Sequence, residues 1–376
     1  MSKNPINGAG GTTVLHLTTS HRVGDNRIYE KECRSLAEVG GYKVLVAGAG
    51  TAPEIDSVTV IPLPELNSSR SGRILTGTAR GFAVASSVRY DILHIHDPEL
   101  LPVGIAMAMR GRRVIWDAHE DYISRFTSAA TGRERIGSVR VGRPVLKLLG
   151  QMDRRASAVV AATPSIAERY RNPLTVVVGN EARLEEVASC DPGPGSRQLL
   201  FVGQPTPYHL FPQIVEAVTE LPELTLAIAG THPANSHVQE AHQRLGQRFR
   251  TLGWLDRQQL AQAMSESLVG FATLADSPIG KDNSSNKVFE FAAAGLPAVM
   301  SPNPANIAHN KQGHHAYLAQ DFSARGIREA IRSAADEPDV WRRKSRDGRM
   351  WAEEHGSWQR SEEVLLSLYE SLTASL

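Results

Sequence analysis

The sequence predicts an α/β protein of two tandem Rossmann-like domains, each a doubly wound parallel sheet, and three observations predict it. The chain has 376 residues, more than one hydrophobic core usually supports. Short apolar runs alternate with amphipathic stretches along its whole length, as in parallel strands joined by crossover helices. The alternation is interrupted at 191–196, DPGPGS, a run of turn-formers without periodicity, and then starts again.

Residues 1–12 open with MSKNPINGAGG, polar and Gly-rich with no apolar core, and read as a flexible tail rather than a signal peptide. The first domain is expected over 13–190. It begins with the strand TVLHLT (13–18) and a loop, SHRVGDNR (20–27). A helix starts at about Arg27, with Ile28, Tyr29, Leu36 and Val39 roughly on one face, and stops at Gly40 and Gly41. The next strands are KVLVAG (43–48), VTVIPL (58–63), DILHIH (91–96), RVIWDAH (113–119), AVVAAT (158–163) and LTVVVGN (174–180). In 125–157, Arg125, Arg133, Arg135, Arg140, Arg143, Lys147, Arg154 and Arg155 face only Glu134 and Asp153, and Pro144 should start a second helix or kink the first.

The second domain, expected over 197–354, repeats the pattern with LLFVG (199–203), LTLAIAG (224–230), FRTLGW (249–254), LVGFATL (268–274) and PAVMS (297–301). A last helix over 355–376 carries Trp358, Val364, Leu365, Leu368 and Leu372 at helical spacing, so its apolar face packs on its own domain or crosses back to the first. Ligands of open α/β sheets bind at the carboxyl ends of the strands, which places the expected active site in the cleft between the domains.

Composition narrows the function classes. A net charge of +1 and the absence of a basic excess argue against a nucleic-acid partner. Cys33 and Cys190 are too few for a disulfide framework and fit a reducing cytoplasm, and no apolar stretch approaches the ~20 residues of a membrane span. The protein is expected to be cytoplasmic, or peripheral at the inner face of a membrane.

Several segments together resemble the bacterial members of glycosyltransferase family 4. They are DNRIYEKECRSLAEVGGYKVLVAG, HIHDPELLPVG and VIWDAHEDY in the first half, then FVG, GW, GFATL and NKVFEFAAAGLPAV, in that order, in the second. The resemblance covers nearly the whole chain and implies the GT-B architecture, two Rossmann-like domains facing each other across a cleft. It also implies a retaining transfer from a nucleoside diphosphate sugar, without a cofactor, to a small-molecule, glycan or lipid-linked acceptor.

The resemblance assigns residues as well. Glu290 matches the glutamate that grips the ribose hydroxyls, a task suited to a carboxylate that accepts two hydrogen bonds. Lys287 adds a cation where a helix N-terminus suits a diphosphate. Phe289 and Gly203 lie in the same donor-binding motifs. Three positions depart from the family pattern: Asn283 replaces a common acid seven residues before Glu290, and Gln204 and His209 replace an Arg and a Lys that hold the diphosphate. Lys281, Lys287 and the helix N-terminus are available to compensate. Helix capping by Asn283, Ser284 or Ser285 is the alternative for the first of these positions. His119 matches a histidine that contacts the donor sugar near the reaction centre, and is taken as the catalytic residue.

The acceptor side is read from the residues at the strand ends. Arg22 is the best candidate for an acceptor or phosphate contact. Asp25 serves the acceptor or caps the next helix, with Arg27 as its first-turn cation. His96 joins Asp97 and Glu99 in a cluster, although Asp97-Pro98 also reads as a helix start with Asp97 as cap. No aspartate cluster of the metal-dependent kind stands at an expected strand end, so no metal site is expected. The rival readings are an epimerase or phosphorylase on the same architecture and a non-catalytic sugar-nucleotide-binding protein. The basic stretch 125–157 is a solvated face or a contact with an anionic membrane surface.

Overall fold

A computed structural model of the chain describes residues 11–64, 70–130, 139–187, 191–277 and 285–374. The chain divides into two units, one running to Asn180 and resuming at Gln359, the other spanning Glu181–Trp358. The turn-rich segment at 191–196 therefore lies inside the second unit.

The first unit follows the chain as β1 (Thr12–Arg22), a π-type turn (Ile28–Cys33), α1 (Arg34–Val39), β2 (Tyr42–Ala49), β3 (Val58–Leu63), α2 (Arg70–Ser87) and β4 (Ile92–Ile95). It continues as α3 (Leu101–Met109), β5 (Arg113–Ala118), α4 (Tyr122–Ala130), α5 (Val139–Arg155), β6 (Ala158–Ala161), α6 (Pro164–Ala167) and β7 (Thr175–Val177). The seven strands form one parallel sheet in the order β3-β2-β1-β4-β5-β6-β7, so the winding reverses between β1 and β4. Strand alternation gives the sheet two different faces. Leu15, Leu17, Leu93, Ile95 and Trp116 build an apolar core with residues of α2, α3 and α5. The opposite face carries Val14, His16, Ile92, His94, His96 and Asp117, all fully buried.

The second unit runs as β8 (Gln198–Val202), α7 (Phe211–Thr219), β9 (Thr225–Ala229), α8 (Ser236–Leu245), β10 (Phe249–Gly253), α9 (Arg257–Ser265), β11 (Ser267–Ala272) and α10 (Lys287–Ala294). Then come β12 (Ala298–Met300), α11 (Pro304–Gly313), β13 (Ala316–Leu318), α12 (Ala324–Asp336) and α13 (Pro338–His355). Its six-stranded parallel sheet has the order β10-β9-β8-β11-β12-β13, with the reversal between β8 and β11. The last helix, α14 (Trp358–Thr373), starts at the end of the second unit and belongs from Gln359 onward to the first. Its Leu365, Leu368, Tyr369 and Leu372 are buried, Ser361 Oγ accepts the Gly179 N–H, and Glu362 accepts the Ser35 hydroxyl.

Several local expectations are corrected. β1 runs on through Arg22, so Ser20, His21 and Arg22 stand on the strand and not on a loop. The turn after it is π-type, closed by an i−5 bond from the Glu32 N–H to the Arg27 carbonyl, and the wider turn buries Lys31 and Glu32. Val39 and Val364 are exposed, because the apolar faces of α1 and α14 are narrower than their apolar composition. α5 passes unbroken through Pro144, forgoing one ladder hydrogen bond near its N-terminus. β13 carries only three residues, too short a run to stand out from the sequence. As expected, α1 ends at Gly40 and Gly41 and α10 at Gly295, all with φ between +72 and +81°.

Among the described residues no helix is long and apolar enough to cross a membrane. On the basic stretch, Arg143, Lys147, Arg154 and Arg155 of α5 are exposed, while Leu149 and Met152 turn inward. Arg133, Glu134, Arg135 and Ile136 lie outside the described residues, as do Cys190, Lys281, Asn283 and Ser284.

Candidate active site

In each unit the chain reversal opens a place for ligands at the carboxyl ends of the central strands. In the first unit these ends are built from β1, β4 and β5. Asp97 follows β4, and its carboxylate turns to the end of β1 instead of capping the helical turn behind it. Oδ2 accepts from the Thr18 hydroxyl at 2.7 Å, the Thr19 N–H at 2.6 Å and the Ser20 N–H at 3.0 Å, and Oδ1 meets His21 Nδ1 at 2.7 Å. Pro98 does occupy the first helical position, as its sequence place suggested. Burial opposes both charges, but the mutual hydrogen bond outweighs it: His21 is raised to about 9 and Asp97 is held well below the usual carboxylate range. Glu99 receives the hydroxyls of Ser20 and Thr19, completing an acidic rim around the strand end.

His119 follows β5. Its Nε2 is 2.9 Å from the Tyr122 hydroxyl and its Nδ1 is 3.4 Å from Asp117 Oδ2, with the side chain 12% exposed. Its ring meets that of His21 edge-on at 4.9 Å between centroids. Asp117 is fully buried and takes two parallel bonds from Arg27, Nε at 3.1 Å and Nη2 at 2.9 Å. Burial opposes its ionisation, yet the Arg27 guanidinium, with His119 and His96 beside it, keeps the carboxyl well below the usual range. Arg27 is thus no first-turn surface cation. It is buried, and its Nη1 also donates to the carbonyls of Val178 and Gly179.

The expected acceptor residues separate. Arg22 is exposed at the end of β1, its stem lying over Gly50. Asp25 Oδ1 accepts the backbone N–H groups of Arg27 and Ile28, which is the work of a helix cap. His96 is fully buried, with Nδ1 2.9 Å from Asp117 and Nε2 3.0 Å from His16 Nδ1, so it has no surface for an acceptor and acts only through its neighbours.

In the second unit the chain turns sharply after β8 at Gly203, whose φ of +113° favours glycine. A side chain there would meet Lys287 Cε at 3.9 Å, which puts the lysine stem beside the turn. Lys287 opens α10, and its N–H faces Ser285 Oγ at 3.4 Å, while no side chain caps the helix from Asn286. Glu290 lies one turn on and is half-buried. Gln204 donates through Nε2 to the Gly230 carbonyl at 3.0 Å and accepts from the Thr231 hydroxyl at 3.3 Å, so its amide ties the β8 turn to the β9 turn. His209 Nδ1 is 2.8 Å from the Thr206 hydroxyl, and burial followed by the charge of Lys287 pushes its pKa down. Phe289 does not join the site: it is buried in the core, stacked on Trp351 with centroids 5.6 Å apart. Two residues on along the helix, Phe289 points away from Lys287 and into the core, a division that motif membership could not show.

Sequence reasoning missed Arg27 as the partner of Asp117, and it missed the buried set His16, Glu32 and His94 around His96. A signal was present in HIH, since histidines two apart on a strand share a face.

In sequence, residues 27–178 match the family model described as Glycosyltransferase Family 4, and residues 209–366 match one described as Glycosyl transferase-like. Among curated proteins none matches the chain. In fold, the chain is similar to sucrose-phosphate synthase from Thermosynechococcus elongatus, with 17% identity, 97% of this chain and 100% of that one covered, and a TM-score of 0.78. HepE of Anabaena, solved with UDP and glucose, matches at 15% identity over 96% of this chain and 99% of its own, with a TM-score of 0.70. The α,α-trehalose 6-phosphate synthase of Burkholderia multivorans matches at 12% identity over 97% and 99%, with a TM-score of 0.69.

Proposed function

The chain belongs to the GT-B glycosyltransferases, its first unit of the family 4 type, and on that premise we propose that it moves a hexose-type sugar from a nucleoside diphosphate donor to an acceptor with retention of configuration. The observation that carries this reading is the Lys287 stem beside the Gly203 turn at the chain reversal of the second unit, with Glu290 in the same first turn of α10. Lys287 and the positive end of α10 meet the diphosphate, and Glu290 takes the ribose hydroxyls. HepE, solved with UDP and glucose and also with UDP-glucose, supports this choice of donor. Asn283, outside the described residues, keeps its assignment to the donor sugar.

The first unit takes the acceptor, with Arg22 at its exposed strand end and His119 at the transferred sugar. In the reaction the bond from the anomeric carbon to the diphosphate oxygen breaks as the bond to the acceptor oxygen forms on the same face. A donor phosphate oxygen removes the acceptor proton, so no side-chain nucleophile is required. Lys287 and the α10 N-terminus balance the charge left on the diphosphate.

One observation favours a second reading, a sugar-nucleotide-binding protein without turnover. Gln204 spends its amide between two turns, and His209 is held neutral, so neither supplies the charge that an Arg and a Lys bring to relatives. Incubation with a panel of radiolabelled nucleotide sugars separates the two. Slow hydrolysis of one donor supports transfer, whereas stoichiometric binding without release of free sugar supports the binder. The exposed cations of α5 support a lipid-linked acceptor or an anionic membrane contact, which requires salt-sensitive cosedimentation with anionic but not neutral vesicles.

A further inference from the structure

The polar face of the first sheet holds a cluster that the transfer reaction does not use. β1 and β4 pair in parallel with His16 directly beside His94, and alternation brings His96 onto the same face two residues later. The π-type turn lowers Glu32 onto this face, and α14 brings Tyr369 against it. All four residues, His16, Glu32, His94 and His96, have no exposed surface.

Their donor atoms converge. One ligand atom from each lies within 4.8 Å of every other. His16 Nδ1 is 3.0 Å from His96 Nε2 and 3.9 Å from Glu32 Oε2, and Glu32 Oε2 is 3.7 Å from His94 Nδ1. A tetrahedral zinc with bonds of about 2.0–2.1 Å wants donors about 3.3 Å apart, so the widest pair must approach by about 1.5 Å, shared between two side chains.

Hydrogen bonding leaves the cluster incomplete. Neither oxygen of Glu32 has a hydrogen-bond partner among the described residues, and neither does His94 Nε2; His94 Nδ1, 3.7 Å from Glu32 Oε2, is held by the Tyr369 hydroxyl at 2.8 Å and exchanges that contact for the ion if it is the ligating nitrogen. Such buried atoms are costly, and Glu32 Oε2, with no ion pair among the described residues nearer than the 3.7 Å to His94, calls for an occupant. The surroundings are arranged as outer support for a metal: Asp117 holds His96 through Nδ1 at 2.9 Å, leaving Nε2 inward, and Arg27 Nε stands 3.1 Å from Glu32 Oε1, leaving Oε2 inward. Tyr369 places its hydroxyl 3.3 Å from His16 Nε2, so Nδ1 of that ring also points inward.

We propose that His16, Glu32, His94 and His96 bind a single divalent transition-metal ion, for which three imidazoles and one carboxylate most suit zinc. The ion ties β1, β4 and the π-type turn together behind the strand ends that carry His21, Asp97 and His119. The role is structural, and it holds whether or not the chain transfers sugar.

Because the donors are sealed from solvent, the test offers metal during synthesis. Full-length protein made in zinc-supplemented medium and desalted should carry one zinc per chain by elemental analysis. X-ray absorption should show four nitrogen or oxygen neighbours with the multiple scattering of three imidazoles. Glu32→Gln should weaken zinc retention against a chromophoric chelator by at least about tenfold, as loss of a ligand exceeds the effect of losing an outer partner. Protein that emerges metal-free overturns the site, as does a Glu32→Gln variant that keeps zinc as tightly as the parent. If that variant does not fold, the absorption spectrum of the parent decides alone, and a shell with fewer than three imidazoles refutes the assignment.

Discussion

Glu290 and His119 are assigned opposite duties, and single substitutions separate them. A ribose-binding carboxylate makes charge-assisted hydrogen bonds of about 1.5–3 kcal/mol, so Glu290→Gln should weaken nucleotide binding by roughly 10- to 150-fold in calorimetry while the fold persists. His119→Ala should lower turnover by roughly 100-fold or more with nucleotide affinity unchanged, because its contact is placed at the transferred sugar. The pair His21 and Asp97 makes a prediction of its own. His21 is raised from 6.5 to about 9 in the folded state, so the stability it lends is complete below pH 6.5 and is lost as pH rises through about 9. NMR titration of the ring should give an imidazolium at neutral pH. In Asp97→Asn burial opposes the charge and only the carboxylates of Asp25 and Glu120 still favour it, so the ring should titrate well below about 9; a ring that still titrates at about 9 would remove Asp97 as the cause.

At the scale of elements, α10 does its proposed work through its first turn. Lys287 stands at the N-terminus beside Gly203, and Glu290 follows one turn later, while Phe289 anchors the helix on Trp351. Lys287→Ala should therefore weaken a nucleoside diphosphate by roughly 5- to 100-fold and leave the bare nucleoside nearly untouched, since only the former carries the charge. Equal losses for both ligands in a calorimetric pair would place the contact elsewhere. The π-type turn after β1 is the corresponding device in the first unit. Its extra residue per turn brings Arg27 to Asp117 and Glu32 to the histidine face, which a regular helix from Asp25 would not do with the same sequence.

At the scale of the whole chain, α14 leaves the second unit and completes the first. Leu365 is fully buried in it, and Ser361 and Tyr369 bind the first unit through Gly179 and His94. Leu365→Ala should cost about 2–5 kcal/mol, and limited proteolysis should show the loss in the first unit although the substitution lies near the end of the sequence. Preferential cleavage in the second unit would show that the helix serves the domain it follows in sequence.

The sequence by itself determined the two-domain α/β architecture, because strand and helix periodicities differ and the apolar runs recur at crossover spacing. It also determined the helix stops at Gly40, Gly41 and Gly295, where a left-handed residue is needed. Its expectation of a short helix with Lys287 at its N-terminus is met, since that is a local matter of a few residues. The tertiary structure alone decided which polar residues meet. Arg27 reaches Asp117 across 90 positions and His94 reaches Tyr369 across 275, pairings that no local period encodes. It also decided that Asp97 faces β1 and not its own helix, because three donors at that strand end outbid one local cap. Burial did the same for His96 and Phe289: a side chain's access to ligand depends on what the rest of the fold lays over it, and that is settled only when distant segments pack.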